Sequence, residues 1–82
     1  MINYKLEIDL LDVIDQIIHL DLINFRSPFI TYFIEASDPD DACYSFFFSL
    51  RSAILFKEDS LENKILCYKI KSLIRIDRIK AL

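Results

Sequence analysis

Few residues in this chain could do chemistry. His19 is the sole histidine, and the only cysteines are Cys43 and Cys67. A general acid or base needs a hydrogen-bonding partner and a pocket. The spacing puts His19 with Asp15 and Gln16 on the polar side of a helix, where a histidine is ordinarily solvated. Cys67 stands among Lys64, Lys69 and Lys71, and nearby cations lower a thiol pKa. Neighbours in sequence need not be neighbours in space, however, and the expectation for Cys67 is a small buried hydrophobe. Cys43 falls on an apolar helical stripe and is expected in the core. Two cysteines are too few for the disulfide framework of a small secreted domain, so two buried free thiols are expected. Asp38, Asp40 and Asp41 crowd together, but a hard cation wants oxygens converging from a loop. No glycine permits a sharp loop, and no later glutamate stands at EF-hand spacing. Helix capping accounts for all three carboxylates. The chain is therefore expected to be non-enzymatic, with no catalytic, cofactor-binding or metal-binding residues.

Two groups of residues remain as binding candidates. The first is basic. Residues 1–63 carry four Lys/Arg against twelve Asp/Glu, whereas residues 64–82 carry six against Asp77 alone. Lys64, Lys69, Lys71, Arg75, Arg78 and Lys80 could neutralise phosphates, and Tyr68 could stack on a base. Against this stands the net charge of −3, since a dedicated nucleic-acid binder usually has a basic domain. The second group is apolar. Tyr44, Phe48 and Leu55 lie off the main stripe of their helix, with Arg51 interrupting them. Aromatic residues dominate interface hot spots, so these three are expected to contact a protein partner.

The elements that must position these residues follow from periodicity. In residues 2–8, Tyr4, Leu6 and Ile8 alternate with Asn3, Lys5 and Glu7, which is the period of a half-buried strand. Asp9 can cap a helix whose apolar positions run from Leu10 to Leu22, ending before Arg26–Ser27–Pro28. Residues 29–36, FITYFIEA, read as a second strand. Their near-continuous apolarity suggests a central strand buried on both faces. Ser37 to Asp41 announces a helix: Asp38 as N-cap, Pro39 in the first position, and Asp40 and Asp41 in the first turn. It is expected from Pro39 to Phe56, with Cys43, Phe46, Phe47, Leu50, Ala53 and Ile54 as its core stripe. Beyond a loop at 57–59, Asp59 and Glu62 resemble a capping box and support a short helix over 60–71. The run LIRIDRI predicts a strand over 73–79.

The order β-α-β-α-(α)-β makes a single α+β domain over residues 1–82, a small sheet of about three strands with two or three helices packed on it. Of its residues 54% are apolar, fourteen of them isoleucine, and none is glycine. Phosphate loops, dinucleotide-binding turns and nucleophile elbows all require glycine, which excludes their usual forms. No apolar run approaches the about 18 residues of a membrane span, so a cytoplasmic protein is expected. Such an Ile-rich composition fits an AT-rich genome, as of a phage or mobile element. The function expected is a protein-interaction domain that self-associates or docks to a larger protein. The alternative is a small nucleic-acid-binding regulator using residues 64–80.

Overall fold

The computed structural model describes residues 1–18 and 27–82, with the side chain of Ile18 excepted. The described elements are β1 (Ile2–Asp9), α1 (Ile14–Ile18), β2 (Phe29–Ala36), α2 (Pro39–Lys57), α3 (Leu61–Leu73) and β3 (Arg75–Ala81). The strands form one antiparallel sheet in the order β2-β1-β3. This is the α+β arrangement expected, a small three-stranded sheet with helices packed on it.

β1 carries the alternation into space. Tyr4, Leu6 and Ile8 are buried and meet Phe46, Leu50 and Ile54 of α2 and Ile70 of α3 in a single core. Lys5, Glu7 and Asp9 take the other face. β1 is therefore the central strand, and β2 is not. On β2, Ile30, Tyr32 and Ile34 pack against the core, while Phe29 and Phe33 are 58% and 63% exposed. The apolar run in β2 is buried on one face only, because the described helices all lie on that face of the sheet. Near-continuous apolarity implied a second covering layer, which is not found among the described residues.

The first helix differs from expectation. Asp9 remains in β1, and its carboxylate accepts the Leu11 N–H at 2.8 Å. Residues 11–13 form a turn, and α1 starts only at Ile14, with Val13 and Ile17 buried. The expected continuation to Leu22, with His19, lies outside the described residues.

α2 begins as expected. Asp38 is the N-cap and accepts the Asp41 N–H at 2.8 Å, and Pro39 opens the helix. Asp41 reaches back to the Ser37 N–H and hydroxyl, at 3.0 and 3.1 Å. α3 is capped by Ser60, which accepts the Asn63 N–H at 3.1 Å. Asp59, read as the cap, instead pairs with Lys64 at 3.5 Å. The helix runs two residues past Lys71 and hands over to β3 at Ile74. β3 contains a bulge: Leu6 and Ile8 face Ile79 and Ile76, so Asp77 is the extra residue. The bulge reconciles Ile76 and Ile79, three apart, with a two-residue period.

Candidate functional site

The groove between α2 and α3 is where the sequence candidates converge. Asn63 sets its closed end. Its side-chain amide is buried and donates to the Glu58 carbonyl at 2.8 Å and the Ile54 carbonyl at 3.5 Å. Glu58 is the C-cap of α2, where helical partners run out, and the Ile54 carbonyl also accepts the Glu58 N–H at 3.3 Å. One side chain thus ties the two helices together, a role that no sequence pattern announced.

Along the groove lies an apolar cavity of about 300 Å³. Tyr44, Phe47, Phe48 and Ile54 wall it from α2, and Cys67 and Ile70 from α3. Tyr44 and Phe48 are one turn apart and stack at 6.2 Å, yet remain 66% and 52% exposed. Beside it opens a second hollow of about 500 Å³, lined by Arg51, Lys64, Cys67, Tyr68 and Lys71. Arg51, Cys67 and Lys71 line both hollows. The apolar trough and the cationic hollow are parts of one groove. Among the described residues, no carboxylate lies within 4 Å of Arg51 or Lys71, whereas Lys64 has Asp59.

The two sets of candidates therefore meet only in part. Tyr44 and Phe48 line the trough, but Leu55 is half-buried and lines neither hollow. Lys64, Tyr68 and Lys71 share one face of α3 with Cys67, the helical neighbours at three- and four-residue spacing. Lys69 points to another side of α3. Arg75 and Arg78 stand on the open face of the sheet, in register with Asp9 and Glu7. Arg75 also approaches Asp12 at 4.0 Å. The six basic-segment residues do not form one patch, because the segment bends from a helix into a strand whose exposed side chains face away from the groove. Arg51 was the residue the sequence undervalued. Its place inside an apolar stripe was the available signal.

Neither thiol is fully buried, as had been expected; both are free and half-exposed. Cys67 is open to solvent where it lines the groove, whereas Cys43 lines neither hollow. Burial still pushes the Cys67 thiol up from its ordinary value, while Arg51 and a backbone hydrogen bond pull it down less strongly. The cation acting on Cys67 is Arg51 from the facing helix, not the lysines adjacent in sequence. Burial also raises Cys43, with Asp40 adding to the effect. Thiols shifted upward are protonated at neutral pH and react slowly. Asp38 and Asp41 are engaged in capping α2. Among the described residues, no group of three or more His, Cys, Asp or Glu converges as metal ligands would. Nor is any helix among them long and apolar enough to cross a membrane.

The fold and groove define a small open-faced α+β domain with an amphipathic cleft in its helical layer. Comparison with known proteins gave no match: no family model fits the chain, and no curated protein or solved structure is significantly similar to it.

Proposed function

We propose that this domain is a protein-interaction module whose α2–α3 groove receives an acidic amphipathic helix from a partner protein. One observation carries the reading: Arg51 and Lys71 stand on the rim of a trough walled by Tyr44, Phe48 and Ile70. A helix laid in such a groove buries apolar residues at three- and four-residue spacing and offers flanking carboxylates to the rim. The magnitudes divide the labour. Each apolar side chain seated in the trough contributes about 1.5–3 kcal/mol, and each exposed ion pair about 0.2–1 kcal/mol. Apolar burial supplies the affinity, and Arg51, Lys64 and Lys71 orient the helix and speed its arrival.

The nucleic-acid reading draws on Tyr68 beside three cations. It is weaker because Lys69, Arg75 and Arg78 point elsewhere and the trough is apolar, whereas phosphate binding needs cations that track a backbone.

The test is fluorescence anisotropy with two labelled probes: an acidic amphipathic helical peptide and a single-stranded oligonucleotide. The peptide is expected to bind, and Phe48→Asp and Arg51→Glu each to weaken it at least tenfold. Oligonucleotide binding with a steep salt dependence, and no peptide binding, would favour the nucleic-acid reading. A peptide affinity indifferent to both substitutions would remove the groove from consideration.

A further inference from the structure

The two edges of the sheet are not alike. β3 carries Arg75, Arg78 and Lys80 and the bulge at Asp77. Cations and bulges are the devices that keep an edge strand from pairing with another chain. β2 has none of them. It runs eight residues in unbroken register with β1, without lysine, arginine, proline or bulge, and its only charge is Glu35. Among the described residues, no other strand pairs with its outer edge, although the Phe29 N–H there is held by the Ser27 hydroxyl at 3.2 Å. An edge strand presents alternating N–H and C=O groups that another extended strand can pair, here with the Ser27 hydroxyl giving up the Phe29 N–H.

The surroundings of this edge are apolar on both sides. Above it, a cleft of about 480 Å³ opens between β2 and α2, bordered by Ile30, Tyr32, Phe46 and Ala53. Below it stand the exposed rings of Phe29 and Phe33. It shares only Leu50 with the α2–α3 trough.

We propose that two copies of this chain pair antiparallel through β2, forming a continuous six-stranded sheet about a twofold axis at Thr31. A twofold axis through a residue pairs like faces, so the cores of both copies stay on the same side of the sheet. With the axis at Thr31, Phe29 of each copy meets Phe33 of the other, and Ile30 meets Tyr32. Glu35 of each copy then faces Ser27, so no like charges are opposed. An axis at Tyr32 would set Phe29 against Glu35, and one at Phe33 would set Thr31 against Glu35. Aromatic and β-branched cross-strand pairs are the favourable ones. The charges disfavour the other edge: β3 paired with β3 about its central residue would set Arg78 against Arg78. Pairing β2 to β3 would leave a free edge on every copy and build a filament, whereas β2 with β2 closes.

Analytical ultracentrifugation of the full chain tests this, with circular dichroism monitoring the fold. The wild type is expected at twice the monomer mass. Thr31 is exposed, so Thr31→Lys and Thr31→Glu should each give a folded monomer, because like charges then meet on the axis. Mixing the two variants should restore the dimer. Phe48→Asp, in the groove, should leave the dimer intact whether or not the groove binds a helix. A wild type that stays monomeric from micromolar to millimolar concentration overturns the proposal. So does a dimer that survives Thr31→Lys and is lost in Phe48→Asp. Failure of the mixture to recover the dimer removes the Thr31 axis.

Discussion

Asn63 couples two helices through one amide, and the consequence is measurable. Removing the side chain leaves the part-buried Glu58 carbonyl at the end of α2 without its donor, while the Ile54 carbonyl keeps the Glu58 N–H. Asn63→Ala is expected to cost about 1–3 kcal/mol, read as a lower urea midpoint with an unchanged slope. A loss below a few tenths of a kcal/mol would show that water replaces the amide freely. Cys67 offers a second test at this scale. Its thiol is raised by burial and partly restrained by Arg51. In a Cys43→Ala background, its alkylation midpoint should lie above that of an unfolded thiol. Arg51→Ala should move it higher still, since a neighbouring cation favours the thiolate. A downward movement on removing Arg51 would contradict the placement of that guanidinium in the groove.

At the scale of elements, the helix starts are chemical and the strand β3 is geometric. Asp38 supplies one hydrogen bond that the first turn of α2 otherwise lacks, and Asp38→Ala should cost about 1 kcal/mol. Asp38→Ser should recover most of it in thermal unfolding. Asp77 makes a different point. It is the extra residue that lets Ile76 and Ile79 both face the core. Deleting Asp77 leaves Ile76, Arg78 and Ile79 in strict alternation against β1. The variant is expected to keep its fold, with a native circular dichroism spectrum. Loss of that spectrum would mean that the bulge is needed for more than register. These elements were largely legible beforehand because caps, proline positions and alternation act over three or four residues. The join between α3 and β3 was legible only within two residues, since LCYKIK satisfies helical and strand periods alike.

At the scale of the molecule, the described helices cover one face of a three-stranded sheet, and the distinctive surfaces follow from what they leave exposed. The outer face interleaves Lys5, Arg78 and Lys80 with Glu7 and Asp9, so it carries no continuous charge. The groove concentrates Arg51, Lys64 and Lys71 around an apolar trough. Binding of an acidic helix there should weaken with salt only modestly, by far less than the steep loss typical of phosphate contacts. A titration of the acidic peptide at low and high salt reads this directly. A slope as steep as that of a nucleic-acid binder would mean that charge, not burial, carries the affinity.

Local patterning in the sequence determined the α+β class, the inward residues of β1, the start of α2 at Asp38–Pro39 and the exposure of Tyr44 and Phe48. Those features depend on neighbours along the chain, whose chemistry can be read directly. It did not determine that β1 is central, since an apolar strand looks the same at an edge as in the middle until the covering layers are counted. Nor did it determine that Arg51, Lys64 and Lys71 share a groove while Arg75 and Arg78 leave it. That depends on the packing of α2 against α3 and on the turn of the chain at Ile74. Charges reach across space, not along sequence, so only the tertiary structure could decide which of them act together.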